Sequence, residues 1–564
     1  MRNHCVDQSA LALLLHAVLA PGVGAQLQPE DVLLVWNSAC VDSQMVRDAY
    51  VAARPGIREF DYADPALVVP SCSLAEGFDP GDKTFTIDGF DYQQFDELAR
   101  GPLAAWFSGE DCEECTECAD DCAERQAWIT DGIGAFSTVN GPKVIVTTRG
   151  LPARIAGQEQ TGTLEATMAS FESELACFLF DLRQNNPAVP GLDEGSIFNP
   201  YIQLPGAVVD ATRILPDTLS TTVVIQNTSP PVNVRAIVLP VSGANLVPAL
   251  FPVTRLDASP LPDVAPLDAT LAMIERSRTL GVLPCTVRNV IDEWPGAGLS
   301  GPDFKGFTDD YDDTAAVLRT LPAPFDFVEG TLESDLDAID TIFDESLEFV
   351  SAAEAAADGR STFILATFGV NHSNTLAGAP AGAEPADTDD DPSTPSLPNN
   401  FLRGFDTVHP AGLYNSYESF SGNSLINGGG RGNQQQGGEW IALGGSFALL
   451  HVAEPLTTFV ANVNDIVSAM LGEGRSWGEG AAASLLAFSW QNTPLGDPLA
   501  TIGAHNLDVN GDGAIDAEDA YAQATNPIEQ NCDGSLDETD DAIVFEALRQ
   551  DELDDLFAAP SARD

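Results

Sequence analysis

The chain has 564 residues, a hydrophobic content of 44% and a formal net charge of −60 at pH 7. This length and apolar content predict a globular protein of roughly two to four domains. Such an acidic surface repels nucleic acid and anionic lipid, so we expect neither among its partners. The charge is typical instead of a protein kept soluble in salty or calcium-containing surroundings, where counter-ions screen self-repulsion.

Residues 1–25 have the pattern of a secretory signal peptide. Arg2 lies in a short n-region, an apolar stretch runs from Ala10 to Ala20, and small residues precede Gln26. The apolar stretch is too short to span a bilayer, and no later segment has the ~18 unbroken apolar residues of a transmembrane helix. We therefore expect a secreted protein, extracellular or at the cell surface, without a membrane span.

Residues 26–500 alternate short apolar runs with helix-like stretches. Strands are predicted over 32–37, 57–62, 143–150, 249–257, 361–369 and 439–450, and helices over 42–54, 92–107, 164–180 and 263–280. Continuous apolar strands separated by helices are typical of a mostly parallel sheet with helices on both faces. The predicted fold class is therefore α/β.

Two stretches interrupt this pattern. Residues 206–248 contain two β-rich runs, STTVVIQNT and NVRAIVLPV, around Pro230-Pro231, which predict a small β insertion. Residues 376–400 are acidic and rich in proline and alanine, a composition typical of a mobile loop.

Four cysteines, Cys112, Cys115, Cys118 and Cys122, lie in the stretch DCEECTECADDC with the C-x2-C-x2-C-x3-C spacing of bacterial ferredoxins. An exported protein meets an oxidising compartment, and the neighbouring acids raise thiol pKa values, which opposes metal ligation by thiolates. Disulfides are therefore the favoured interpretation, with zinc and an iron–sulfur cluster as alternatives and the pairing left open. The remaining cysteines after residue 25 are odd in number, so at least one thiol should be free.

Charged side chains follow several predicted strands directly. We consider four of them candidate catalytic residues: Arg149, Asp257, His372 and Glu418. Because α/β sheets bind ligands at the carboxyl ends of their strands, a cleft there could bind an acidic or polar ligand and perform general acid–base chemistry. The alternative is structural, since arginine–aspartate pairs at strand ends commonly tie loops together.

Three further polar positions are interpreted as structural. His409 and His451 stand alone, without the spacing of metal ligands. The GDPL stretch at 496–499 predicts a turn capped by Asp497.

The segment 505–560 differs from the rest in composition and contains two acidic loops. Calcium prefers six to eight hard oxygen ligands, which a twelve-residue loop supplies from alternate positions. Ile515 would anchor the first loop as an apolar residue, and the second loop begins with glutamate, which predicts weaker binding. The first loop would coordinate Ca²⁺ through Asp508, Asn510, Asp512, the Ala514 carbonyl, Asp516 and Asp519, and the second through Glu529, Asn531, Asp533, the Ser535 carbonyl, Asp537 and Asp540.

The two loops, each closed by aspartate and followed by a helical pattern, resemble a dockerin over residues 505–560. The resemblance implies an all-α, EF-hand-like module that binds Ca²⁺ and docks onto a cohesin-like partner. Because dockerins often accompany polysaccharide-degrading domains, it also suggests polysaccharide catabolism, by analogy of architecture alone.

The large domain contains short sequence motifs that resemble those of an uncharacterised family of exported bacterial proteins. They are TTRGLPARI, ASFESELA, VTRLD, VAEP and SWQNTPLGDPLA. This resemblance implies no activity. A looser similarity is to the caspase/gingipain-like fold, in which one strand ends in His-Gly and the next in the catalytic cysteine. Here Ser373 follows His372, and residues 417–419 contain no cysteine, so the thiolate chemistry of that fold is absent.

The sequence thus predicts a secreted protein whose calcium-binding tail anchors or docks an α/β domain of unassigned activity. The alternative is a secreted hydrolase, peptidase-like or polysaccharide-degrading, delivered by the same tail. The choice depends on whether the four candidate catalytic residues converge in one cleft.

Overall fold

The structure of the protein is a computed structural model. It describes residues 26–68, 72, 89–108, 136–138, 141–156, 168–180, 197–215, 221–225, 232–236, 246–259, 261, 264–283, 286–292, 341–344, 360–367, 407–416, 421–422, 425, 437–452 and 459–503. In the C-terminal segment it describes residues 507, 509, 515, 517–527, 530, 536, 540–545 and 547–548. The signal-peptide prediction, the four-cysteine stretch and the stretch 376–400 lie outside the described residues.

A ten-stranded sheet organises the α/β domain. Its strands are β1 (Val32–Trp36), β2 (Arg58–Asp61), β3 (Val144–Thr148), β4 (Val253–Leu256), β5 (Val287–Asp292), β6 (Thr341–Asp344), β7 (Ser361–Thr367), β8 (Val408–Ser416), β9 (Phe447–His451) and β10 (Asn492–Leu495). Their spatial order is β6-β5-β7-β8-β9-β10-β4-β3-β1-β2. Every neighbouring pair is parallel except β9 and β10. The predicted α/β class with a mostly parallel sheet is confirmed.

The antiparallel pairing of β9 with β10 divides the sheet into two parallel halves that run in opposite directions. The first half contains β10, β4, β3, β1 and β2, and the second contains β6, β5, β7, β8 and β9. In this pairing Ala448 lies opposite Leu495, and His451 lies opposite Asn492. The strands of the two halves therefore end at opposite edges of the sheet.

Helices pack on both faces of this sheet. They are α1 (Val41–Ala53), α2 (Tyr92–Phe95), α3 (Gly101–Ser108), α4 (Phe171–Leu175), α5 (Ala207–Asp210), α6 (Pro266–Arg276), α7 (Gly438–Ala442), α8 (Val463–Val467) and α9 (Trp477–Ser484), with π-helical turns at Asp96–Arg100 and Ser468–Gly472. Successive side chains of a strand point to opposite faces. Tyr414 of β8 belongs to the apolar cluster of α6 and α7, whereas its neighbour Leu413 belongs to that of α8 and α9.

Local sequence signals start several of these helices. The Ser170 hydroxyl accepts the Ser173 N–H at 2.9 Å at the start of α4, and Pro266 occupies the first turn of α6, where its missing N–H costs nothing. At α9 the Ser476 N–H donates to the Glu479 carboxylate at 3.1 Å, which is one half of a capping box.

Smaller sheets flank the main one. Thr221–Ile225 and Val232–Ala236, the two runs of the predicted β insertion, pair antiparallel with each other. They join Ile197–Phe198 and Ala487–Phe488 in a four-stranded sheet. One three-stranded sheet contains Phe136–Thr138, Thr212–Leu215 and Leu246–Pro248, and another contains Gly89–Asp91, Arg154–Ala156 and Met168–Ser170. A two-stranded sheet pairs Leu280–Gly281 with Ile502–Gly503.

The long helix predicted over 164–180 is wrong. Within the described part of that stretch, Met168–Ser170 is a strand that pairs with Arg154–Ala156, and α4 is only five residues long. Residues 169–178 are all buried. Their apolar spacing therefore reflects burial on every side and does not mark one face of a long helix.

The single strand predicted over 439–450 is also wrong, because this stretch contains α7 followed by β9. Gly444 has φ +116°, which strongly favours glycine, and a Cβ on Gly445 would lie 2.2 Å from Trp440 Nε1. These two glycines allow the chain to turn sharply from the helix into the strand. Within the described part of the chain, no helix is both long and apolar enough to cross a membrane.

His409 in β8 makes folding sensitive to acid. Its Nδ1 accepts a hydrogen bond from the Ala411 N–H at 3.2 Å, and burial lowers its pKa to about 4. The unfolded chain, with a histidine pKa of about 6.5, binds the proton more tightly. This contribution to stability is complete above about pH 6.5 and is lost as the pH falls towards about 4.

We predict that His409→Gln loses less free energy of unfolding than the wild type between about pH 7 and pH 4.5, by on the order of 1 kcal/mol. Urea denaturation at each pH measures the difference. Subtracting the two proteins removes the contribution of the many carboxylates, which both share. Equal losses in the two proteins would contradict the prediction.

Candidate functional site

Arg149 and Asp257, two of the four predicted site residues, meet at the carboxyl edge of the first half. Arg149 follows β3 and Asp257 follows β4, and the parallel register of these strands brings the two side chains together. Arg149 Nη1 donates to Asp257 Oδ1 at 2.8 Å. Its Nε donates to Asp42 Oδ2, in the first turn of α1, at 3.0 Å.

Arg255 extends this pair into a buried network. Its Nε donates to Asp257 Oδ2 at 3.2 Å, and its Nη1 donates to Glu172 Oε1 of α4 at 2.9 Å. Nη1 and Nη2 also donate to the backbone carbonyls of residues 151–152, at 2.8 and 2.6 Å. The side chains of Arg149, Arg255, Asp257 and Glu172 are at most 2% exposed.

Each charged group in this network has a partner of opposite charge. Burial by itself would lower the pKa of Arg255, but the carboxylates of Glu172 and Asp257 outweigh it and raise that pKa. Burial raises the pKa of Asp42, and its contacts with Arg149 oppose the shift. The two guanidiniums donate hydrogen bonds to carboxylates and to loop carbonyls, so the network ties the loop after β3 to β4 and α4. This geometry favours the structural alternative for Arg149 and Asp257.

The other two candidate catalytic residues, His372 and Glu418, lie outside the described residues. The strands that precede them, β7 and β8, belong to the second half and end at the edge opposite Arg149 and Asp257. In addition, β8 lies four strands from β3, which is about 19 Å across the sheet. The structure therefore brings together one pair of the four, and a common cleft stays a prediction.

Asp497 has a larger role than the predicted turn cap. Its Oδ1 accepts the Leu499 N–H at 2.9 Å, as in a capped turn, and also the Tyr50 hydroxyl at 2.8 Å. Its Oδ2 accepts Arg54 Nε at 2.8 Å. Asp497 thus fastens the C-terminal end of α1 to the carboxyl end of β10. The turn pattern of GDPL marks Asp497 in the sequence, but no local pattern indicates its contact with α1.

The described cysteines include one disulfide and one free thiol. Cys40, at the start of α1, bonds to Cys72 with a Cα–Cα distance of 5.5 Å. Cys177 is free and buried, and burial, with the nearby Glu174, raises its pKa well above the usual value. Gly150 permits the disulfide to pack against the loop after β3, because a Cβ there would lie 2.4 Å from Cys40 Sγ.

In the C-terminal segment, the structure describes a helix that begins within the last three positions of the first predicted calcium loop. This helix, α10 (Ala517–Thr525), buries Asp519 and Gln523, whereas Tyr521 is 72% exposed. A surface helix normally buries its apolar face. Here the buried face is polar and contains the carboxylate predicted to close the loop. Ile515, the predicted apolar anchor, is 37% exposed and so is not enclosed in a core.

The second loop is closed in a similar way. Asp540, its predicted last ligand, is fully buried, and its Oδ1 accepts the Gln530 N–H at 2.7 Å. The remaining predicted ligands lie outside the described residues. Among the residues that are described, no group of three or more acids, histidines or cysteines is placed to hold a metal ion.

Comparison with known proteins found no matching family model, no similar curated protein and no similar solved structure. The fold defines an α/β protein with a ten-stranded, mostly parallel sheet in two opposed halves. A fold of this class by itself assigns no activity. Function must therefore be argued from the side chains.

We predict that Arg255→Met lowers the free energy of unfolding by about 3–5 kcal/mol, because Glu172 and Asp257 would keep their burial and lose a shared cation. Urea denaturation measures the loss. Arg278→Met is the matched control, since Arg278 and its partner Glu275 are 35% and 56% exposed and such a pair contributes at most about 1 kcal/mol. A loss at Arg255 no larger than that at Arg278 would contradict a structural role for the network.

Proposed function

We propose that the protein is exported and that residues 505–560 form a calcium-binding, dockerin-like tail that anchors or docks the α/β domain. The observation that carries the proposal is the full burial of Asp519 and Asp540, the residues predicted to close the two loops. Residues 505–548 contain twelve Asp and Glu and no Lys or Arg. A buried carboxylate requires a cation or strong hydrogen bonds, and no Lys or Arg side chain in this stretch can supply the cation.

Calcium fits the ligand types and the spacing of both loops. The first loop would hold it through Asp508, Asn510, Asp512, the Ala514 carbonyl, Asp516 and Asp519. The second would use Glu529, Asn531, Asp533, the Ser535 carbonyl, Asp537 and Asp540. The ion would neutralise the assembled carboxylates and so contribute directly to folding of the tail.

The two loops should differ in affinity. Asp540 Oδ1 already accepts the Gln530 N–H, which leaves Oδ2 as the oxygen better placed for a cation. Glutamate in place of aspartate at the first position, Glu529, supports weaker binding at the second loop.

Export is supported by the disulfide between Cys40 and Cys72, because structural disulfides persist mainly in oxidising compartments. The signal-peptide pattern of residues 1–25 agrees with this. A cohesin-like protein is the proposed partner of the tail, on the strength of the dockerin resemblance alone.

The alternative function, a secreted hydrolase of peptide or polysaccharide, has less support. Arg149 and Asp257 are engaged in the buried network, and the described residues do not include His372 and Glu418. Anchoring by the tail requires no catalytic cluster, and it is the function that we favour.

We predict that adding Ca²⁺ to the chelator-treated full chain increases the helical signal in far-ultraviolet circular dichroism, as the tail folds. Asp519→Asn should weaken the calcium affinity of the first loop by about tenfold or more, and Asp540→Asn should affect only the weaker phase of a calcium titration. Isothermal titration calorimetry measures both phases.

Glu518→Gln is the control for these variants, since it removes one acid beside Asp519 that is not a predicted ligand. It should change the affinity by less than about twofold. No change in helical signal on adding Ca²⁺, or equal effects of Asp519→Asn and Glu518→Gln, would overturn the proposed tail.

A further inference from the structure

The chain directly after the predicted signal segment is attached to the α/β domain. Leu27 is 6% exposed and belongs to the same apolar cluster as the residues of β1 and β3. A Cβ on Gly478, in the first turn of α9, would lie 3.3 Å from Leu27 Cδ1, so this leucine lies against that helix. The first residues of a domain are usually poorly ordered unless they are tied down. Here the chain is tied down from Leu27 onward.

A short turn continues this attachment into the sheet. Pro29–Asp31 forms a single 3-10 turn, and the Asp31 carboxylate accepts the Gln28 N–H through Oδ2 at 3.0 Å. Asp31 Oδ1 is 2.9 Å from Lys143 Nζ, and β1 begins at the next residue. The segment between Leu27 and β1 is therefore fixed by contacts of its side chains and of its backbone.

Gln26 is the one residue between the predicted cleavage site and this fixed segment. The small residues Val23 and Ala25 suit cleavage after Ala25. Gln26 is exposed, and its Nε2 donates to the Gly474 carbonyl at 2.8 Å. A Cβ on Gly474 would meet no atom within 4 Å, so the surface beside this residue is open. The α-amine that cleavage releases would therefore lie at an open surface, next to the side-chain amide of its own residue.

The α-amine and the side-chain amide of an N-terminal glutamine can react with each other. The amine nitrogen attacks the Cδ carbonyl carbon, the new N–C bond closes a five-membered lactam, and the Cδ–Nε2 bond breaks. Nε2 leaves as ammonia with the proton that the amine gives up, so the reaction needs no oxidant, reductant or second substrate. Proximity of the two groups within one residue favours the ring closure. An internal glutamine has no free amine and cannot follow this route.

The contact with Gly474 does not prevent the reaction. It is an exposed hydrogen bond between neutral groups, and such a bond is weak. This hydrogen bond should therefore slow ring closure by at most about tenfold. After ring closure the lactam N–H remains as a hydrogen-bond donor in the same residue.

We propose that Gln26 is a modification site: removal of residues 1–25 releases its α-amine, and the residue then cyclises to pyroglutamate. The inference rests on the proposed export, because only cleavage after Ala25 creates this amine. The modification removes the positive charge of the new N-terminus and leaves no free amine for an aminopeptidase to bind. It would thus protect the N-terminal segment of a protein that is located outside the cell.

The test examines the N-terminus of the full chain, expressed with its own residues 1–25 in a bacterium that exports it. The intact mature protein should be lighter than a chain with an open Gln26 by the mass of one ammonia. Edman degradation should give no sequence. Treatment of the unfolded protein with pyroglutamyl aminopeptidase should then give a sequence that begins at Leu27.

Gln26→Asn is the matched control. Asparagine keeps a side-chain amide, but its shorter side chain would have to close a strained four-membered ring, so its amine should stay free. Edman degradation of this variant should read asparagine followed by Leu27. The contrast separates lactam formation from a modification that blocks the amine directly, such as acetylation, which would block both proteins.

Three results would overturn the inference: an open Gln26 in the exported wild type after prolonged storage, a blocked Gln26→Asn, or a mature chain that starts at any other residue. Each of these comes from a cleaved chain and leaves the proposed export standing. A chain that keeps residues 1–25 would overturn the export and the modification together. The two failures are therefore distinguishable in the same experiment.

Discussion

The antiparallel contact between β9 and β10 is the constraint on which the rest of the domain depends. Each strand of a parallel sheet ends at the same edge, so one reversal sends the two halves to opposite edges. The ends of β3 and β4 thereby lie at one edge of the sheet and the ends of β7 and β8 at the other. A single catalytic cleft assembled from all four strand ends would have to overcome this separation.

The two edges differ in how their polar groups are satisfied. At the first-half edge, Arg149 and Arg255 are paired with Asp257, Glu172 and Asp42, and the cations offset the cost of burying the carboxylates. At the second-half edge, the buried side chains of Asn415 and Asn492 are neutral amides, and within the described part of the chain neither amide oxygen accepts a hydrogen bond. A network in which each buried charge has an opposite partner ties the fold together.

The tail poses a similar electrostatic problem without the same solution. Asp519 and Asp540 are buried, and residues 505–548 contain no lysine or arginine. A bound divalent cation would solve this problem at both loops and would make folding of the tail depend on calcium. If the proposed calcium sites form, the tail and the α/β domain would use different means of stabilising buried carboxylates.

The sequence by itself determined the α/β class, since alternating apolar runs and helical patterns report local burial. It also identified Arg149 and Asp257 as residues at strand ends, because a strand end is visible as the end of an apolar run. It also predicted the loop-closing Asp519 and Asp540 from their spacing. Only the tertiary structure decided the direction of β10, because parallel and antiparallel strands have the same local pattern. The same holds for the helix wrongly predicted over 164–180, where burial on all sides hid a short strand that pairs with Arg154–Ala156.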